Sequence, residues 1–407
     1  MRATTFLIAL ALVSAAAAPA TAQSVDVRVK VDTQAIREVT AEIREALRDA
    51  LGPEMRRDLQ REITSASREI ADVIEHLSRS PWVGFEDFDL GDFVEFGTGG
   101  SSRGARQRNF PASQTDKETR TFAIGANGEF DLDNLSGDIR IVPGSGRDLT
   151  IQISRVSRGR TEADAKTGLA RVRVETTHRG ERATARTVYP NERQSNYSVS
   201  VDYVVTAPAG TRITAKTVSG DLTIGALTGE MTLNSISGDV LVTGATRVLH
   251  AKTVSGDVTL TDCGAEGLLE ASTMSGDVTG TNITARRVEL HSIAGTVTGR
   301  NVSAQAVKLN SMSDDVVFDG DLAAGGRYEF TSHSGTVRLA FDGRTGFTFE
   351  ASTFSGTVRS DLPLQVKNLG GGAGSRRQNR DVRGTFGDGS ATVTANSFSG
   401  NVIVTKR

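Results

Sequence analysis

The chain has 407 residues, with 47 basic against 49 acidic side chains, 43 glycines, 8 prolines and 1 cysteine. A formal charge of −2 gives no field for gathering phosphate backbones, and one cysteine allows neither an internal disulfide nor a cysteine-based metal cluster. Nucleic-acid binding and zinc-finger chemistry are set aside, while glycine at about 11% against a usual ~7% points to many turns.

Residues 1–22 read as a secretory signal. Arg2 supplies the charge, Phe6 to Ala18 an apolar run, and Ala20-Thr21-Ala22 the small-x-small cleavage pattern, so the mature chain is expected to begin at Gln23. The run is shorter than the ~20 residues that cross a bilayer, and no later segment approaches that length. No membrane span is expected after cleavage. The product is expected in the periplasm or outside the cell, associated with the envelope.

Residues 23–80 begin with Val25, Val27, Val29 and Val31 alternating with polar residues, the pattern of a short strand. Apolar residues then recur every three or four positions from Ile36 to Leu77, which predicts an amphipathic helix, kinked or folded into a hairpin at Gly52-Pro53. Leu47, Leu59 and Ile70 lie on its stripe. A stripe of that length must be covered, so a protein partner or self-association, of coiled-coil type, is expected there, with packing inside the chain as the alternative. Residues 81–116 alternate Trp82, Phe85, Phe88, Phe93 and Phe96 with acidic residues before glycine, serine and arginine, which reads as a tether.

Residues 117–407 carry a repeat. Ser-Gly corners align on Gly137, Gly220, Gly238, Gly256, Gly276, Gly295, Gly335, Gly356 and Gly400, with Asp314 in the same column, and steps of 18 to 21 residues separate most of them. Such a period belongs to a solenoid, whose turns are too small to fold alone and stack on their neighbours. Seven residues before the anchor stand apolar residues such as Phe130, Ile213, Met231, Leu249 and Leu269. Five before come Leu132, Ala215, Leu233 and Ala251, and three before come threonines and serines such as Thr253 and Ser292. Two after the anchor, Ile139, Leu222, Val240 and Val258 open a second strand. The expected fold is all-β, a parallel β-solenoid of β-helix type carrying an N-terminal α-helical segment. Glycine is expected at the corner because sharp turns call for positive φ or close approach of the next rung. Asp138, Asp221, Asp239, Asp257 and Asp277 follow the corner and are expected to bond turn backbone rather than calcium. Residues 117–206 read as an irregular first coil with a short helix near Thr161 to Ala170. Residues 361–407 read as a C-terminal hairpin cap, with Arg376, Arg377, Arg380 and Arg383 in an exposed loop.

The Ser-Gly-Asp-Val corners, the segment from Phe130 to Ile139 and the passage Tyr203-Val-Val-Thr-Ala-Pro-Ala-Gly210 resemble the bacterial putative-adhesin family of β-strand-repeat proteins, a domain of unknown function. The resemblance spans about Lys117 to Arg407 and implies an envelope or secreted β-solenoid, some of whose relatives are linked to envelope stress; it carries over no functional residue.

No catalytic pattern stands beside the repeat. His76, His178, His250, His291 and His333 fall in no common column, and Cys263 has no identifiable partner. No enzyme activity, cofactor or metal is expected. A non-catalytic adhesin-like scaffold is the expected function. The alternatives are a glycan-sensing or envelope-stress-sensing module, with an envelope glycan as ligand, and a polysaccharide lyase or hydrolase.

Overall fold

The computed structural model describes residues 110–190, 196–366 and 380–407. The leader, the 23–80 segment, most of the 81–116 tether, and Arg376 and Arg377 lie outside the described residues. One compact unit comprises Pro111–Thr187 and Tyr197–Arg407; the other, Ala20–Phe110 with Val188–Asn196, falls almost wholly outside the described residues.

The unit is nearly all β. Its elements run β1 (Ala112–Ala123), β2 (Glu129–Ser136), β3 (Ile139–Gly144), β4 (Asp148–Gly159), α1 (Glu162–Arg171), β5 (Arg173–Arg179), β6 (Arg182–Val188) and β7 (Tyr197–Pro208). The regular repeats follow as β8 (Arg212–Ser219), β9 (Leu222–Ile224), β10 (Met231–Ser237), β11 (Val240–Thr243), β12 (Val248–Lys252), β13 (Val258–Thr261), β14 (Gly264–Ser275), β15 (Val278–Ala294), β16 (Val297–Ser303), β17 (Ala306–Ser311), β18 (Val316–Gly320), β19 (Arg327–Ser332) and β20 (Val337–Phe341). The chain closes with β21 (Phe347–Thr353), β22 (Val358–Ser360), β23 (Gln365–Val366), β24 (Asp381–Phe386), β25 (Ala391–Ser397) and β26 (Val402–Lys406).

Strands before the corner stack in parallel on one another, and so do strands after it. Met231 faces Ile213 and Leu233 faces Ala251 in the first ladder, while Val240 faces both Leu222 and Val258 in the second. The result is a solenoid-like stack. Alternation sends every second side chain inward, and the columns at seven, five and three before the anchor and at two after it form the core. Phe130, Leu132, Val240, Val258 and Leu290 are fully buried or within 1% of it. One repeat departs from the aligned columns. Between Met231 and Thr232 the register slips, so that Val248 faces Met231 and His250 faces Thr232. Val248 is buried in the place expected of Leu249, which the extra residue leaves half-exposed.

The ends differ from the expected order. The coil β25–β26 lies between β19–β20 and β21–β22: Tyr328 and Phe349 both face Val393, and Val337 and Val358 both face Val402. The last coil is therefore an internal rung, and the outer position falls to the coil before it. Among the described residues, β23 and β24 close this end, with β24 antiparallel to β21 and β23 antiparallel to β24. Arg383 lies on β24, paired with Glu350, instead of in a loop.

The front end uses the same device. β2 sits between β6 and β8, and β3 between β7 and β9. Beyond β7 the sheet continues antiparallel through β4 to β1, whose alternating half-exposed and exposed residues include Asp116, Lys117, Glu118 and Arg120. Charges on such an outer strand discourage pairing with another chain. β1 begins at Ala112, inside the stretch expected as tether. The short helix is α1: the Thr161 hydroxyl accepts from the Asp164 amide while the Asp164 carboxylate accepts from the Thr161 amide, closing a capping box.

Because β25–β26 bonds on both sides, its removal should gut the stack rather than trim it. A chain ending at Ser390 is expected to lose cooperative melting and protease resistance. Wild-type melting of that truncation would contradict the internal placement.

Candidate functional site

The repeated corner is the site to which the sequence points. The amides of Gly137, Gly220, Gly238, Gly256 and Gly276 donate to the carbonyl just before the next anchor, as from Gly220 to Ser237 (3.0 Å) and from Gly238 to Ser255 (2.9 Å). Those of Asp314, Gly335, Gly356 and Gly400 donate instead to the hydroxyl three residues earlier in their own rung. The residue two past the anchor donates to the carbonyl just after the next one, as from Val240 to Asp257 (2.8 Å). At Gly220, φ is +136°, and a Cβ there would run into the carbonyl of Gly137. Gly400 shows the steric requirement alone: no left-handed φ is involved, yet a Cβ would meet the Gly335 carbonyl. The structure brings the nine expected glycines onto one line, in the spatial order 137, 220, 238, 256, 276, 295, 335, 400, 356, with Asp314 between 295 and 335. Leu47, Leu59 and Ile70 lie outside the described residues.

Two side-chain ladders reinforce the line. Oδ1 of Asp138 accepts from the Asp221 amide (3.0 Å), Asp221 from Asp239 (2.9 Å), Asp239 from Asp257 (2.8 Å), Asp257 from Asp277 (2.8 Å) and Asp277 from Thr296 (2.7 Å). The ladder starts one rung earlier, at Asp202, which accepts from Asp138 (3.1 Å). Asp202 was not legible as a member because its anchor is Val201, with no Ser-Gly in front; burial raises its carboxyl above the usual range. On the inner side, hydroxyls of Thr253, Thr273, Ser292 and Ser311 donate to the anchor carbonyl one rung below at 2.8–3.0 Å. A further ladder marks the bend after the second strand, where Asp262, Asn282 and Asn301 adopt left-handed φ of 52–56°. Asn282 donates to Asp262 and Asn301 to Asn282, both at 2.7 Å. Their spacing of 20 and 19 residues was the available signal.

The outward columns hold the remaining chemistry. Glu270 accepts from His250 (2.8 Å) and pairs with Lys252 (2.8 Å). Burial alone would raise its carboxyl, but those hydrogen bonds and charges outweigh burial and hold it at about 2. Glu289 beside His291 and Arg287 is lowered in the same way. Both stay ionised at neutral pH, which suits ion pairs and unfits them as the protonated acid that glycoside cleavage needs. Cys263 is buried, and burial pushes its thiol up, away from the thiolate a nucleophile requires. Among the described residues, no group of three His, Cys, Asp or Glu side chains is placed to hold a metal.

The column two before the anchor is outward-facing and apolar. It runs Leu135, Val218, Ile236, Val254, Met274, Ile293 and Met312, all half-exposed, and continues in His333, Phe398 and Phe354. Those last three rings stack: centroids are 4.7 Å apart at 6° between His333 and Phe398, and 4.9 Å apart at 3° between Phe398 and Phe354. Burial lowers the His333 imidazole, so it remains uncharged at neutral pH. Phe354 ends the row with 61% of its surface exposed. The outward face thus carries one apolar column beside its threonines, serines and asparagines.

The sequence model of the Toastrack family, DUF4097, matches residues 127–405. Among solved structures, a putative adhesin from Bacteroides fragilis NCTC 9343 is 16% identical, covering 72% of this chain and 97% of its own, with a TM-score of 0.35. Two proteins from Parabacteroides distasonis ATCC 8503 cover the same shares: a putative lipid binding protein at 13% identity and TM-score 0.39, and a putative adhesin at 10% and 0.33. No curated protein matches the chain.

The corner makes a direct prediction. Gly238→Ala is expected to cost about 2–4 kcal/mol, since its Cβ would collide with the Gly220 carbonyl at a φ of +142°. Gly267→Ala, with open space around the new atom, should cost within about 0.5 kcal/mol of nothing. Equal denaturation midpoints for the two variants would remove the corner's steric role.

Proposed function

The chain belongs to the Toastrack DUF4097 family, and we propose that it acts there as a non-catalytic, exported envelope protein whose β-solenoid is a rigid interaction scaffold. The observation that supports this reading most directly is the use of the polar side chains. The aspartates of the corner spend an oxygen on backbone amides, and Glu270 and Glu289 are held ionised by their basic neighbours. General acid–base catalysis needs a group whose pKa lies near the working pH, and Glu270 and Glu289 are tuned away from it. Rigidity follows from the same bonds, because each rung is fixed to the next by backbone and side chain together.

The leader supports export, and the amphipathic pattern of residues 32–80 supports an N-terminal helical segment that associates with a protein partner or with a second copy. About ten apolar side chains at roughly 1.5 kcal/mol each would outweigh the ordering cost of docking. Adhesion, in this reading, is display of a surface rather than chemistry on a ligand.

Protein recovered from its host is expected to begin at Gln23 and to fractionate with the envelope. Exchanging Leu47, Leu59 and Ile70 for serine should change its native mass or its recovered partner while leaving the β-signal intact. A chain beginning at Met1 in the cytoplasm would overturn export. Unchanged mass and partner recovery would overturn association through the helix.

A further inference from the structure

We propose that the apolar stripe beside the corners is a docking track for a basic amphipathic helix of a partner protein; this names the partner class for the scaffold reading and rests on it. Ile236, Val254, Met274 and Ile293 form its centre, on four successive rungs, half-exposed and outward by the pleat. The rungs are bonded beneath them: the Ser255 amide donates to the Ile236 carbonyl (2.8 Å) and the Ser275 amide to the Val254 carbonyl (2.9 Å). Stacked strands repeat every ~4.8 Å, so the ten positions of the column extend about 43 Å. A helix covers that length in roughly 29 residues.

Width and charge choose the occupant. The stripe is one side chain wide between polar columns, so a cylinder can cover it along its whole length. A second solenoid laid on it would gain a few hundred Å² of apolar contact, short of the ~800 Å² per partner of a stable complex. Three residues beyond the stripe, on the corner itself, Asp138, Asp221, Asp239, Asp257 and Asp277 are exposed on five successive rungs. Each accepts from a backbone amide through one oxygen, and none of the five carries an ion pair among the described residues. A carboxylate every ~4.8 Å along one margin repels an anionic lipid surface and attracts a row of lysines or arginines spaced one per helical turn. The other margin is mixed: Asp133, Lys216 and Lys252 stand among neutral residues, and Lys252 is paired with Glu270. The basic flank of the bound helix therefore lies on the corner side, with its apolar face on the stripe.

Charge and ladder can be separated experimentally, because Asn401 already fills the ladder position without charge: its Oδ1 accepts from the Thr357 amide at 2.9 Å. The mature full chain would be titrated with two labelled synthetic helical peptides of about 28 residues. They share one leucine stripe, flanked by lysine in the first and glutamate in the second. The lysine peptide is expected to bind at least tenfold tighter. Asp221→Asn, Asp239→Asn and Asp257→Asn combined should erase that preference, and Ile236→Ser, Val254→Ser and Met274→Ser combined should weaken both peptides at least tenfold, each at unchanged melting temperature. Should the serine changes prove to unfold the chain, the asparagine set alone decides. A preference that survives the asparagine changes, or binding that survives the serine changes, overturns the proposal. So does a fall in native mass of the serine variant, which assigns the stripe to a second copy, or loss of its flotation with phosphatidylglycerol vesicles, which assigns it to lipid. Those failures sink the track alone, since the Gln23 start and envelope fractionation test the scaffold reading separately.

Discussion

The carbonyl of one corner glycine lies against the α-carbon of the next, with no room for a Cβ between them. Much else in the protein depends on that contact. It fixes how closely successive rungs approach at the turn and thereby places each amide opposite its acceptor. It also puts the residue after the glycine directly over its counterpart, where a short side chain can reach one rung and no further. Aspartate has that reach, and so does asparagine, whereas threonine at 296, 336 and 357 supplies the backbone amide that donates to it. On the inner side the threonine and serine hydroxyls meet the same carbonyl that excludes the Cβ. A buried carbonyl at a corner would otherwise be short of partners, at a cost of about 1–3 kcal/mol each.

This contact also carries the less expected part of the architecture. A solenoid that ended where its chain ends would leave its last strand half-bonded and free to fray. Here each terminal coil is drawn one rung inward: β2–β3 has neighbours on both sides, and so has β25–β26. The outermost coils are continuous with chain on both sides and finish in antiparallel strands, so no rung is held from one end alone. The arrangement demands contacts distant in sequence, as between Val337 and Val402, which slows folding. Resistance to unzipping from either terminus accompanies that slower assembly.

How much of this was legible depended on whether a feature repeats. The inward columns and the glycine anchors recur every 18 to 21 residues, so alignment of the chain with itself displayed them. The bulge at Leu249 broke one column because a single inserted residue leaves the apolar pattern plausible in both registers. The step of 44 residues from Gly356 to Gly400 is about two periods by number, yet it holds a hairpin and a rung that belongs elsewhere in the stack; periodicity specifies what a rung looks like and not which rung it sits beside. The apolar stripe was present in the same alignment two positions before the anchor. It stayed unread because short threonine-rich strands present mostly polar outward positions.

Cross-linking tests the central claim, that the corners stack in the order Gly335, Gly400, Gly356. On a Cys263→Ala background, Arg338→Cys with Ile403→Cys places two thiols on facing positions of adjacent strands. Arg338→Cys with Arg359→Cys places them two rungs apart, at about 9.6 Å between backbones. The account predicts a disulfide in the first protein under mild oxidation and free thiols in the second. A disulfide between positions 338 and 359, with positions 338 and 403 remaining reduced, would mean that the coils stack in chain order and would contradict it.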